Sequence, residues 1–212
     1  MKILVSGATR TIERLAAGRY RQHLGHLLQP NQGNAVASLA RTGLPIAADN
    51  AAFSGFDEGR FLAMVERVKP FAPLWVVVPD LVGDCRGTIS MFDHYVDSLD
   101  RAGADNVPLA IVGQDGMEDC DCDWWMGFAA AFFIGGSTEW KLSAAAADLA
   151  SAAKARGPQV HMGRVNTLRR IRYAASIGCD SIDGSGFSKF PDSTLPQALA
   201  EVVHAECVRT LF

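Results

Sequence analysis

The sequence has no apolar stretch long enough to cross a membrane. The longest one, residues 126–134, is interrupted by Gly127, whereas a membrane-spanning helix needs about 20 apolar residues. The first residues after Met1, Lys2-Ile3-Leu4-Val5, have the pattern of a β-strand rather than that of a signal peptide. We therefore expect a cytoplasmic protein with no membrane partner.

A cysteine framework is also missing. The five cysteines are odd in number and irregular in spacing, which argues against a disulfide scaffold and favours a reducing compartment. Cys85, Cys179 and Cys207 are interpreted as buried or incidental thiols. Cys120 and Cys122 form a C-x-C pair, but no second pair stands at the spacing of a zinc site. They are therefore a weak metal candidate.

The sequence lacks a dinucleotide-binding loop. The turn Gly7-Ala8-Thr9-Arg10 follows the first strand but does not have the G-x-G-x-x-G pattern. No acidic residue stands about 20 positions further on, where such a loop would need one for the ribose. We therefore do not expect a nicotinamide cofactor here.

Basic residues are concentrated in two blocks, although the net charge is −3. Residues 1–41 hold six Lys and Arg against one acid, and residues 154–189 hold seven against two. If the blocks meet in space, they form a groove for a polyanion; the alternative is two solvated helix faces. The candidate nucleic-acid-binding residues are Arg19, Arg21, Arg164, Arg169, Arg170, Arg172 and Lys189.

Apolar runs of strand length alternate with segments of helical periodicity along most of the chain. We count seven such strands, for example residues 74–78 and 131–134, and most end in Asp, Gln or Gly. This alternation predicts a parallel sheet with right-handed crossovers. Over 212 residues it favours a single-domain (β/α)8 barrel, with an open doubly wound sheet as the alternative. Residues 8–34 are polar and basic, and we interpret them as an inserted arm.

Polar side chains follow the strands at one predicted rim. The carboxylates are Asp49, Asp80, Asp183 and Asp84, and Gln114 and the Gly135-Gly136 backbone join them. Carboxylates can accept hydrogen bonds from the N–H groups of a guanine-like base, and glycine lets the backbone approach a ring closely. Two carboxylates on either side of a glycosidic bond are also the pattern for displacement at an anomeric carbon.

Asp183 is the central residue of this rim. It closes the strand in the segment Gly178–Gly186, in which Asp180 stands three positions earlier. Because side chains alternate along a strand, we expect Asp183 to point into the barrel mouth and Asp180 to point to the other face. The simpler alternative is that this segment is a solvated Asp-Gly turn.

In order, these segments resemble the tRNA-guanine transglycosylases. The similar segments are Ala48-Asp49-Asn50-Ala51-Ala52-Phe53-Ser54-Gly55, Pro79-Asp80 with Asp84-Cys85, Val112-Gly113-Gln114-Asp115-Gly116, Ile134-Gly135-Gly136-Ser137-Thr138-Glu139, Met162-Gly163 through Leu168, and Gly178-Cys179-Asp180-Ser181-Ile182-Asp183. The resemblance covers about residues 44–190.

The resemblance implies that Asp183 is the nucleophile at C1′ and that Asp49 is the general acid and base. It implies that Asp80, Gln114 and Gly136 hold the base, with Asp84, Gly135, Phe53 and Met162 beside it. The family's C-terminal zinc motif is absent, since only His204 and Cys207 follow Asp183 as candidate ligands. We therefore expect no metal and no other cofactor.

A short relative without the zinc motif is more similar to the phage and bacterial transglycosylases that exchange guanine for a 7-deazaguanine, such as preQ0, in DNA. The expected partners are then DNA, or tRNA as the alternative, and the deazaguanine base. A hydrolytic glycosidase and a non-catalytic nucleic-acid-binding barrel remain as two further hypotheses, and a homodimer is left open.

His161 and Trp124-Trp125 are interpreted as core residues, although His161 lies one position from Met162.

Overall fold

A computed structural model describes residues 1–31, 36–101, 106–121 and 123–210. Within these ranges eight parallel strands close into a barrel in chain order, each paired with the next and β8 paired with β1. The strands are β1 (Lys2–Val5), β2 (Leu24–Leu28), β3 (Ile46–Ala48), β4 (Val76–Val77), β5 (Leu109–Gly113), β6 (Ala131–Ile134), β7 (Gln159–Met162) and β8 (Ser181–Ile182). The predicted (β/α)8 barrel is confirmed.

Helices separate the strands and cover the outside of the barrel. They are α1 (Thr9–Ala16), α2 (Val36–Ala40), α3 (Glu58–Val68), α4 (Cys85–Arg101), α5 (Asp123–Phe128), α6 (Thr138–Lys141), α7 (Ala144–Arg156), α8 (Leu168–Ser176), α9 (Ser185–Lys189) and α10 (Pro191–Thr210). Several begin at a side-chain cap, as α3 does at Asp57, which accepts from the backbone N–H of Arg60 at 2.9 Å. In the described part of the chain, no helix is both long and apolar enough to span a membrane.

Strand alternation divides the buried side chains into two layers. One set fills the barrel interior: Leu4, Leu27, Ala47, Trp75, Val77, Ala110, Val112, Ala131 and Phe133. The neighbouring strand positions, such as Ile3, Phe132 and Ile134, face the helices in a second and larger cluster. Fully burying one large apolar side chain contributes about 1.5–3 kcal/mol. These interior side chains fill the barrel, so the carboxyl ends of the strands are left for a site.

The prediction of an inserted basic arm at residues 8–34 is wrong. Most of this segment is a regular barrel unit, in which α1 leads to β2, and all five residues of β2 are buried. β2 is the strand missing from the seven that the sequence predicts. It contains Gly25 because a Cβ there would lie 2.6 Å from a side-chain carbon of Leu4. The end of the predicted arm, residues 32–34, lies outside the described residues.

Candidate active site

Two adjoining cavities open at the carboxyl ends of the strands. The first, here called the base cavity, has a volume of about 170 Å³. Its lining includes Gln29, Asp49, Asn50, Phe53, Asp80, Gln114, Gly135, Gly136 and Arg164. The second, here called the nucleophile cavity, has a volume of about 260 Å³ and is lined by Leu4, Ser6, Leu27, Gln29, Asp183, Gly184, Ser185, Ser188 and Lys189. Gln29 lines both, so it lies between them.

A larger groove of about 550 Å³ lies at the opposite end of the barrel. It is lined by residues that precede β4 and β5, among them Pro73 and Pro108, and by the exposed Phe128. Asp97 is its only charged lining residue in the described part of the chain. Because parallel barrels place their reactive groups at the carboxyl ends of the strands, the two smaller cavities are the candidate site.

Asp49 follows β3 directly and is held in place by two neighbours. Its Oδ2 accepts from Nε2 of Gln29 at 2.8 Å, and its Oδ1 accepts from the backbone N–H of Ala51 at 3.4 Å. The pKa of Asp49 is raised to about 6, chiefly by burial; the hydrogen bond from Gln29 opposes this rise, and the charge on Asp183 adds to it. A carboxyl group with this pKa exchanges a proton readily near neutral pH.

Asp80 and Gln114 form one hydrogen-bonded unit on the far wall of the base cavity. Nε2 of Gln114 donates to Oδ2 of Asp80 at 2.7 Å, and Nδ2 of Asn50 donates to Oδ1 of Asp80 at 2.8 Å. The backbone N–H of Gly83 donates to Oε1 of Gln114 at 3.1 Å. Burial raises the pKa of Asp80, although both side-chain hydrogen bonds act against that rise. Each carboxylate oxygen keeps a second lone pair for a ligand.

Asp183 follows β8 and points into the nucleophile cavity with a side chain that is 16% exposed. Its Oδ2 lies 3.0 Å from Nε2 of His161, and its Oδ1 accepts from the backbone N–H of Arg164 at 3.1 Å. Asp180, three residues earlier, lies at the other end of β8, where Nζ of Lys154 donates to its Oδ1 at 2.7 Å. The two aspartates are therefore separated along the strand, at its opposite ends, whereas the sequence predicted opposite faces.

Arg164 lines and covers the base cavity. It does not form part of an open phosphate-binding surface. Its Nη2 donates to the backbone carbonyl oxygens of Gly135, at 3.0 Å, and of Gly136. Its guanidinium carbon lies 4.7 Å from the ring centroid of Phe53, within the range of a cation–π contact. The backbone of Arg164 is left-handed, with a φ of 59°, a conformation that is uncommon outside glycine.

Four residues that the sequence reasoning did not assign to the site complete it. Gln29 and Asn50 hold the carboxylates, and buried His161 contacts Asp183. Nζ of buried Lys141 donates to the carbonyl oxygen of Gly163 at 2.9 Å. The pKa of Lys141 is lowered to about 7, first by burial and then by the charge on Arg164. Gln29 directly follows the Leu27-Leu28 pair that ends β2, and a polar residue after such a strand is the signal that could have revealed it.

Two predicted base-binding residues lie elsewhere. The Met162 side chain is fully buried in the cluster between the barrel and its helices, because its neighbour His161 takes the inward position on β7. The exposed Asp84 caps α4, and its Oδ1 accepts from the backbone N–H of Gly87 at 2.9 Å. Neither residue lines the base cavity or the nucleophile cavity, so the structure corrects both predictions.

The seven predicted nucleic-acid-binding residues do not share one surface. Arg19 and Arg21 precede β2 at the amino end of the barrel, where they contact Tyr20 and the carbonyl oxygen of Thr42. Arg172 on α8 donates to both carboxylate oxygens of Glu201, at 2.7 and 3.0 Å.

Three other predicted basic residues lie at the carboxyl end with Arg164. Lys189 lines the nucleophile cavity. Arg169 and Arg170, in the first turn of α8, line a groove together with Tyr173. Because α8 follows β7, its first turn lies on the same end of the barrel as the two cavities. Among the predicted nucleic-acid-binding residues, Lys189, Arg169 and Arg170 are therefore placed to contact a nucleic acid at the candidate site.

The predicted C-x-C pair, Cys120 and Cys122, lies only partly within the described residues. Sγ of Cys120 lies 3.7 Å from Sγ of Cys85, and Cys122 is outside the described ranges. Among the residues that the structure describes, no group of three or more His, Cys, Asp or Glu side chains is arranged to hold a metal ion.

Comparisons with known proteins support the fold alone. Neither a protein-family model nor a curated protein matches the sequence. Among solved structures, a mandelate oxidase mutant with the C4a-OH-FMN adduct is similar over 99% of this chain and 73% of that chain, with a TM-score of 0.60. The sequence identity is 14%. At this level the likeness shows a shared barrel architecture, because one fold carries many unrelated functions.

Proposed function

We propose that the chain is a guanine transglycosylase, which exchanges guanine in DNA for a 7-deazaguanine base through a covalent aspartyl-glycosyl intermediate. The observation that carries this proposal is the division of the mouth by Gln29. The acid–base candidate Asp49 lines one cavity, and the nucleophile candidate Asp183 lines the adjoining one. A nucleotide can place its base in the first cavity and its sugar in the second, with the glycosidic bond between them.

The base cavity offers the hydrogen-bonding groups that a guanine edge requires. The free lone pairs of Asp80 can accept from N1–H and the exocyclic amine, which is a strong charge-assisted arrangement. Nε2 of Gln114 has two hydrogens, of which one goes to Asp80 and the other can go to the base carbonyl oxygen. Gly135 and Gly136 bring backbone to the edge of this cavity without a side chain.

The two carboxylates then divide the reaction into two displacements. Asp183 attacks C1′, the bond from C1′ to the base nitrogen breaks, and the protonated Asp49 gives its proton to the departing guanine. The deprotonated Asp49 next removes a proton from the incoming deazaguanine. The nitrogen of that base attacks C1′ and releases the Asp183 carboxylate, so that protons and charges balance over the cycle.

Substrate choice rests on the basic residues around the two cavities. Lys189, Arg169 and Arg170 lie at the carboxyl end of the barrel and can contact phosphates of a strand whose target nucleotide is extruded. DNA is the first substrate to test, and tRNA is the alternative.

The test is incorporation of a radiolabelled 7-deazaguanine into DNA and, separately, into tRNA. We expect label in DNA, and a loss of about 1,000-fold or more in Asp183→Asn. Asp180→Asn is the matched control, because Asp180 lies at the other end of the same strand; it should retain activity. Label in tRNA alone would contradict the DNA assignment. Release of guanine without a deazaguanine present would instead indicate a hydrolytic glycosidase, and no reaction with either nucleic acid would favour a non-catalytic barrel.

A further inference from the structure

Asp183 ends a chain of three polar side chains inside the barrel. Nδ1 of His161 lies 2.8 Å from Oγ of Ser181, and Nε2 of the same ring lies 3.0 Å from Oδ2 of Asp183. His161 and Ser181 are directly paired across β7 and β8. Ser181 and Asp183 are two positions apart, so they project to the same side of β8. The three residues are therefore brought together by strand register.

The imidazole of His161 is fixed by its surroundings. His161 has no solvent exposure, and its ring centroid lies 4.9 Å from that of Trp75 and 4.6 Å from that of Phe133. Both aromatic rings belong to the barrel interior. With the ring packed in this way and Nδ1 held by Ser181, the direction of Nε2 toward Asp183 is set by the fold.

The hydrogen-bond roles follow from the chemistry of the partners. An ionised carboxylate only accepts, so Nε2 of His161 must carry the proton in the contact with Asp183. In the neutral ring, Nδ1 is then the acceptor and the Ser181 hydroxyl is its donor. In a functional histidine, the hydrogen bond made by one ring nitrogen usually decides whether the other ring nitrogen carries the proton.

We propose that His161 is a positioning residue for Asp183, with Ser181 selecting the tautomer that donates to Oδ2. This inference rests on the proposed role of Asp183 as nucleophile. His161 and the backbone N–H of Arg164 hold one oxygen each, which fixes the carboxylate plane beside the nucleophile cavity. A nucleophile held in its attacking geometry needs less reorganisation in the transition state.

The kinetic test compares three variants in the base-exchange reaction. His161→Leu removes the donor, and kcat should fall by about 10- to 100-fold, the effect of one hydrogen bond to a charged group. His161→Gln can place an amide N–H near the position of Nε2 and should recover part of that loss. Ser181→Ala should lower kcat by a smaller factor. KM for the base should stay within about twofold in all three, because none of these residues lines the base cavity.

Two kinetic results would overturn the proposal. One is a kcat of His161→Leu within about twofold of the parent protein. The other is an equal loss in His161→Leu and His161→Gln accompanied by a raised KM, which would indicate a purely structural role.

A second measurement does not depend on activity. Long-range proton–nitrogen NMR of the imidazole rings should show His161 protonated at Nε2, with a shift that changes in Asp183→Ala. A ring protonated only at Nδ1 would overturn the proposal. If Nε2 is protonated but no nucleic acid is modified, then the proposed function fails while the His161–Asp183 contact stands. The two failures are therefore distinguishable.

Discussion

Nε2 of Gln29 donates to Oδ2 of Asp49 at 2.8 Å. The same glutamine accepts at Oε1 from the Ser6 hydroxyl at 3.2 Å, so its amide is oriented by the end of β1. Gln29 thereby fixes the Oδ2 side of the Asp49 carboxylate. It is also the one side chain that lines both cavities in the described part of the chain. The proton transfer assigned to Asp49 should therefore depend on Gln29.

The first prediction concerns the pH dependence of base exchange. Because the pKa of Asp49 is raised to about 6, the rate should show a transition near that pH. Gln29→Leu removes a hydrogen bond that lowers this pKa, so the transition should move to higher pH. In Asp49→Asn the transition should disappear and the rate should fall by about 100-fold. Initial rates between about pH 4.5 and 8.5 test this. Gln22→Leu, at the amino end of the barrel, should leave the profile unchanged.

The second prediction concerns stability. A carboxyl group whose folded pKa is raised from 3.8 to about 6 disfavours folding once it must ionise. Its destabilising effect is therefore absent below about pH 4, grows between pH 4 and 6, and is constant above pH 6. Asp49→Asn keeps the shape and removes the charge, so it should raise the free energy of unfolding by about 1–3 kcal/mol at neutral pH. Urea denaturation across this pH range tests this; an equal gain at pH 4 would contradict it.

The third prediction concerns recognition of the base. Asp80→Asn would place N–H donors against the donors of a guanine edge, and the dissociation constant for guanine or a 7-deazaguanine should rise by about 10- to 100-fold. Calorimetric titration measures this directly. Asp84→Asn is the matched control, because asparagine caps a helix as well as aspartate does and Asp84 lies outside the base cavity. Similar losses in both variants would contradict the placement of Asp84.

The sequence patterns sufficed for most of the barrel because its strands are continuous apolar runs that end in polar residues. Residues 131–134, for example, were predicted with the same bounds as β6. β2 was missed because Gly25 and His26 interrupt its apolar run and basic residues surround it. Both interruptions have tertiary causes: Gly25 fits against Leu4 and the carbonyl oxygen of Pro45, and His26 lies 3.0 Å from the Thr42 hydroxyl.

For the candidate site, too, the sequence patterns predicted some residues and missed those whose roles depend on tertiary contacts. Asp49, Asp80, Gln114 and Asp183 were found because each follows a strand, and topology alone brings the ends of parallel strands together. Met162 was misassigned because a one-residue difference in register exchanges the inward and outward faces. The role of Arg164 depends on carbonyl groups from the β6 loop and on a ring from the β3 loop. These contacts are set by tertiary packing, and no local pattern encodes them.

The last prediction tests the Arg164–Phe53 contact that covers the base cavity. Phe53 is 71% exposed, so it contributes little through burial, and its main described contact is the guanidinium 4.7 Å from its ring. In a double-mutant cycle of Arg164→Ala and Phe53→Ala, the free energies of unfolding should be non-additive by about 0.5–1 kcal/mol. Alanine at 164 keeps a Cβ at a φ of 59°, so backbone strain is matched between the parent and the variant. Strict additivity in chemical denaturation would show that the two residues are uncoupled and that the loop of Phe53 is held by its own backbone hydrogen bonds, such as that from Ser54 to Ala51 at 3.0 Å.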